Sequence, residues 1–222
     1  VHDLCQQTLA GTSGDTFLPV PRGNSRLRLA ISPDGKQVVT HQQEGYVRAA
    51  PAFDRRTTFE GPRGTRDIRF SSEGTLWAVG TDAVFTWPNG TDKVTRIEFS
   101  VSSLAIGDSG GALVGRNNGT IAMYSAAGQL VRSERVASVA ITALAWSGDR
   151  IIAGTSAGDI LILRELHREK IVRTLPHAHA DTIWSVAFGP DGMFATGSAD
   201  RQVRLWDSTG KEILSLFQTH PV

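Results

Sequence analysis

The chain has 222 residues, 40% of them hydrophobic and 20% charged, with 23 Lys+Arg against 22 Asp+Glu for a net charge of +1. That balance lacks the concentrated basic field that nucleic-acid backbones and anionic membrane surfaces attract, and no apolar run approaches the roughly 20 residues of a spanning helix, so no membrane partner is expected and nucleic acid is disfavoured. The single cysteine, Cys5, excludes an internal disulfide framework and a cysteine-rich metal centre.

The sequence opens at Val1 without the charged-then-apolar pattern of a secretion signal, which sets a cytoplasmic expectation. Val1-His-Asp-Leu4 reads as the end of one strand and Asp15-Thr-Phe17-Leu-Pro-Val20 as the outer strand of the same unit, so residues 1–20 are expected to be the remnant of a preceding repeat. Five full repeats follow, over about 24–61, 64–99, 101–134, 139–174 and 179–218 of a single domain spanning 1–222. Their first turns read Ile31-Ser-Pro-Asp-Gly35, Phe70-Ser-Ser-Glu-Gly74, Ile106-Gly-Asp-Ser-Gly110, Trp146-Ser-Gly-Asp149 and Phe188-Gly-Pro-Asp-Gly192. The anchors Ile31, Phe70, Ile106, Trp146 and Phe188 recur at spacings of 39, 36, 40 and 42 residues, room for four short strands and tight turns per unit.

The fifth unit shows the strands most clearly: Ile183–Phe188, Met193–Gly197, Gln202–Trp206 and Glu212–Phe217, with a period of two through Gln202-Val-Arg-Leu-Trp206. No segment of ten or more residues keeps a 3.6-residue apolar period, so the chain is expected to be all-β. One four-stranded unit cannot bury both of its faces, and neighbouring units must cover it.

The fifth unit also carries His179-Ala-Asp181-Thr-Ile-Trp184-Ser-Val-Ala-Phe188-Gly-Pro-Asp-Gly192, then Thr196-Gly-Ser198-Ala-Asp200, then Val203-Arg-Leu-Trp206-Asp207. With these residues the chain resembles the WD-repeat β-propeller family, over roughly residues 15–220. The resemblance implies four-stranded antiparallel blades, five full repeats plus a partial one, as a segment of a ring of about seven blades; the alternative is an arrangement that closes with five blades or by pairing with another chain. It also implies a buried relay of a histidine, a hydroxyl, an aspartate and a tryptophan, which by position are His179, Ser198, Asp200 and Trp206. Elsewhere the relay decays. The second unit keeps Thr81, Asp82 and Trp87 without a matching histidine, the third has Arg116, Asn118 and Tyr124, the fourth Thr155, Ala157 and Leu163, and the first Glu44 and Ala49.

Three features bear on chemistry. Gly107-Asp-Ser109-Gly-Gly-Ala-Leu-Val114 resembles the nucleophile loop of trypsin-like serine proteases, which makes Ser109 the candidate of a hydrolase alternative; the same residues stand in register with the first turn of every other repeat. His177, His179 and Asp181 alternate as metal ligands on a strand do, but no further ligand accompanies them, and neither metal nor cofactor is expected. Arg22, Arg26, Arg63 and Arg66 fall in loops entering the first strand of units one and two, a candidate face for a phosphopeptide or nucleic acid, with Asp54, Glu60 and Asp67 nearby in sequence to offset them.

The expected function is a non-catalytic protein-interaction scaffold or regulatory sensor in a larger multidomain protein. Its partners would be a protein or peptide ligand and the remaining blades or domains of a longer parent chain. The candidate interaction face comprises Arg22, Arg26, Arg63, Arg66, His177 and Trp184.

Overall fold

The computed structural model describes residues 28–42, 46–51, 57–60, 65, 67–80, 83–87, 95–98, 101–164 and 173–217. Within these residues twenty strands form five four-stranded antiparallel sheets, each a blade, with one 3-10 turn at Pro190–Gly192 and no α-helix. Blade one holds β1 (Arg28–Ile31), β2 (Gln37–Gln42), β3 (Tyr46–Pro51) and β4 (Thr57–Glu60). Blade two holds β5 (Asp67–Phe70), β6 (Leu76–Val79), β7 (Val84–Trp87) and β8 (Thr95–Glu98). Blade three holds β9 (Val101–Ile106), β10 (Ala112–Arg116), β11 (Thr120–Tyr124) and β12 (Leu130–Arg135). Blade four holds β13 (Ile141–Ser147), β14 (Arg150–Thr155), β15 (Ile160–Arg164) and β16 (Arg173–Leu175). Blade five holds β17 (Ile183–Phe188), β18 (Phe194–Ser198), β19 (Gln202–Trp206) and β20 (Glu212–Phe217). In every sheet the strands lie in chain order, the plain meander that short turns dictate.

The five anchors occupy one place. Each stands at or one residue from the end of a blade's first strand, and the turn after it contains a glycine with positive φ: Gly35, Gly74, Gly110, Gly148 and Gly192. Only a residue without a Cβ takes that conformation at no steric cost, so the Gly in each first-turn motif is a geometric requirement.

The first strands stack in order, β1 beside β5, β5 beside β9, β9 beside β13 and β13 beside β17. The core lies in the seams between blades. Val39 meets Ile68, Ala78 and Phe85 in the first seam, and Trp77 meets Leu104, Val114 and Tyr124 in the second. Leu113 meets Ile141, Ile151 and Leu163 in the third, and Ile152 meets Ile183, Phe194 and Trp206 in the fourth. β6, β7 and most of β10, β11, β14 and β15 are buried on both faces, whereas every residue of β20 is exposed. Val203, Leu214 and Leu216 on blade five, and Leu29 and Ile31 on blade one, are large apolar side chains open to solvent. The expected remnant at 1–20, and Glu44, Thr81 and Asp82, lie outside the described residues.

Candidate functional site

The polar centre of blade five is a hydrogen-bonded chain. His179 Nδ1 lies 2.9 Å from Asp200 Oδ2, His179 Nε2 lies 2.7 Å from Thr196 Oγ1, and Trp206 Nε1 donates to the same Thr196 Oγ1 at 2.9 Å. His179 and Thr196 are each 1% exposed. One arrangement of donors and acceptors satisfies the whole chain. An indole N–H only donates, so Thr196 Oγ1 accepts from Trp206 and gives its own proton to His179 Nε2. The imidazole then carries its hydrogen on Nδ1, where acceptor-only Asp200 receives it. Every member is then satisfied, the condition under which a buried polar network stabilises a core. Burial pushes the Asp200 carboxyl upward, but the amides of Gln202 and Ala180 and the His179 ring outweigh it and hold the pKa below the ordinary 3.8.

The hydroxyl of this chain is Thr196, which corrects the assignment to Ser198. Phe194 pairs with Trp206 across β18 and β19, so Thr196 lies one diagonal step from the indole. Ser198 shares that face but stands two residues farther along, about 7 Å at strand rise. There it serves the turn: its Oγ donates to Asp181 O at 2.9 Å and accepts from the Asp200 amide at 3.1 Å. Thr155, in the same register position of blade four, likewise accepts from the amides of Ala157 and Asp159. The places equivalent to Thr196 in blades two, three and four are Ala78, Val114 and Ala153, all fully buried. Those blades carry methyl groups where blade five carries its hydroxyl.

Trp184 stands at a repeated structural device. In blades three, four and five the pairing of the first two strands skips one residue: Ser102, Thr142 and Trp184 are the extra residues of successive bulges. Ser102 Oγ bonds Ile141 O of the next blade at 2.7 Å, and Thr142 Oγ1 bonds Ile183 O at 2.6 Å. The hydroxyl therefore fastens each blade to its successor. In blade five the bulge presents an indole that is 65% exposed. His177, also exposed, holds a left-handed φ of 49° and donates its amide to Asp159 Oδ1 at 2.9 Å, which fixes the loop entering blade five against blade four.

Ser109 is an exposed residue of the first turn of blade three. Its neighbour Asp108 accepts from the Gly148 amide at 3.0 Å, a bond between the turns of two blades. His177 and His179 belong to blade five, beside the opening rather than the closing end of its first strand, so neither is placed as a base for Ser109. No group of three or more metal-ligating side chains occurs among the described residues. Arg22, Arg26, Arg63 and Arg66 lie outside them.

The family model described as WD domain, G-beta repeat, matches residues 169–207, the segment that includes β16 through β19 and the whole of the His179 relay. No curated protein matches the chain. A repeat of this kind supports a general role as a protein-interaction or regulatory scaffold. The match, set on five stacked four-stranded antiparallel blades, supports assigning the chain to the WD-repeat family.

Proposed function

We propose that the chain is a non-catalytic interaction platform, a scaffold or sensor region of a larger cytoplasmic protein, that receives a protein or peptide at the bulge end of its first strands. The observation that carries this reading is Trp184. A large aromatic side chain, 65% exposed, sits on a rigid strand at the position where blades three and four use a small hydroxyl to fasten their successors. Aromatic anchors on rigid elements supply contact area at little entropic cost, which is why tryptophan dominates many protein interfaces. Site-specific photo-crosslinking in cells tests it. A photoreactive amino acid at position 184 is expected to capture a discrete protein, while the same group at Leu130, an exposed residue of outer strand β12, captures none. No discrete product from 184, or labelling of Ser109 by a fluorophosphonate with loss of a hydrolytic activity, overturns the proposal.

A further inference from the structure

At the opposite end of the strands, the seams between blades differ in what fills them. Between blades four and five the filler is Arg150, the residue just before the inner part of β14. Its guanidinium donates to Gly192 O at 2.9 Å and Ser208 O at 2.7 Å, and lies 5.8 Å from the centre of the Phe188 ring. Between blades three and four the equivalent residue is Gly111, and the Trp146 ring packs over it. Between blades two and three it is Thr75, whose hydroxyl reaches Ala126 O at 3.5 Å.

Between blades one and two no described residue fills the corresponding space. The equivalent residue is Gln37, preceding the pair Ile31↔Val38 as Arg150 precedes Trp146↔Ile151. Phe70 takes the place of Phe188, and Gly74, with φ 82°, takes the place of Gly192, with φ 73°. Gln37, Phe70 and Gly74 line a cleft of ≈ 150 Å³, together with the acidic residues Asp34 and Glu73. The Ser32 hydroxyl, at 2.6 Å, and the Lys36 amide, at 3.0 Å, hold the Asp34 carboxylate in place.

We propose that this cleft binds the guanidinium of an arginine side chain presented by a partner protein. The chain supplies its own precedent, because the same seam position three blades along is occupied by a guanidinium over a phenylalanine ring. The Asp34 carboxylate lines the open copy, where a cation is favoured over a neutral group. A planar guanidinium both stacks on an aromatic face and offers several N–H donors to backbone carbonyls, which an ammonium does not. The inference rests on the interaction-platform reading only for the source of the arginine, and it adds a second contact at the other end of the strands from Trp184.

The test is an NMR titration of the isotope-labelled chain with N-acetyl-arginine amide, and with N-acetyl-citrulline amide as its neutral isostere. The arginine probe is expected to give saturable shifts at the amides of Ser32–Gln37 and Phe70–Gly74, with citrulline about tenfold weaker, the difference a charge-assisted hydrogen bond makes. Gln37→Arg, which places an internal guanidinium in the cleft, is expected to abolish binding, and Asp34→Asn to weaken it several-fold. Absence of saturable shifts at those amides, equal response to citrulline, or undiminished binding by both variants overturns the proposal. Saturable arginine binding without a crosslink from position 184 keeps the cleft and overturns the Trp184 face; the reverse pair of results does the reverse.

Discussion

Thr196 and Ser198 stand two residues apart on one face of β18, and they divide two tasks. Thr196 takes the Trp206 N–H and reaches His179, while Ser198 closes the turn that carries Asp200. The sequence motif points to the histidine, the aspartate and the tryptophan, because each has a distinctive side chain at a distinctive spacing. It does not choose between two hydroxyls of equal parity, since that choice depends on the pairing of β18 with β19. Counting outward from Phe194↔Trp206 identifies Thr196. Thr196→Val leaves the Trp206 N–H and His179 Nε2 without a partner in a buried site, and is expected to cost about 1–3 kcal/mol. Ser198→Ala, at a half-exposed turn, is expected to cost about 1 kcal/mol or less. Urea denaturation of both variants measures the order, and a larger loss for Ser198→Ala contradicts it. Asp200 adds a pH dependence. Its carboxyl lies below 3.8 in the folded protein, so its stabilisation is fully present above the unfolded value and disappears as pH falls through the lower folded value. Asp200→Asn is expected to flatten stability across that acid window, and an unchanged acid limb in the variant counts against the network.

In blades three to five the first strand carries a bulge with a glycine across from it, and in blades three and four an isoleucine from the next blade seats there. A Cβ on Gly115 meets the Ser103 side chain and lies 2.9 Å from Ile141, and on Gly154 it lies 2.5 Å from Ile183. The absence of a side chain there is what lets the next blade's isoleucine seat against the sheet. Gly197 faces only the Ser185 hydroxyl, at 2.7 Å. Gly154→Ala therefore forces a buried β-branched side chain and its strand to move, and is expected to cost about 1–3 kcal/mol. Gly197→Ala displaces one hydroxyl rotor and is expected to cost clearly less, with thermal denaturation as the measure; equal losses mean that the seam yields as easily as the open face. The alternation of apolar residues, the first-turn motifs and the meander were all legible in the sequence, and the fifth repeat's strands match to within one residue. The bulges were not, because a skipped residue leaves no mark on composition. They show only when the equivalent positions Ser102, Thr142 and Trp184 are set side by side and two of them turn out to bond the following blade.

At the scale of the molecule, burial is a property of neighbours. Each of the four apolar clusters is shared by two consecutive blades, so a blade's stability depends on how many of its faces are covered. Repeat spacing made the stacking legible, whereas which seams hold aromatic, aliphatic or charged fillers depends on single residues such as Gly111, Thr75 and Arg150 that no period predicts. Blade four has blades three and five against it. Blade five has blade four on one side and presents Val203, Leu214 and Leu216 to solvent on the other. Opening β19 therefore breaks one apolar seam, through Trp206, while opening β15 breaks two. A difference of one buried seam amounts to more than about 1.4 kcal/mol of local opening free energy, which is tenfold in exchange rate. Native-state hydrogen exchange is thus expected to show the amides of β19 exchanging at least about tenfold faster than those of β15, the strand in the same place of blade four, although both are paired on either side. Ladder position alone predicts equal protection of the two strands, and seam burial predicts the gradient. If the rates coincide, the outer face of blade five is covered in solution, and the same measurement repeated on a Val203→Lys, Leu216→Lys variant would restore the gradient by removing the cover.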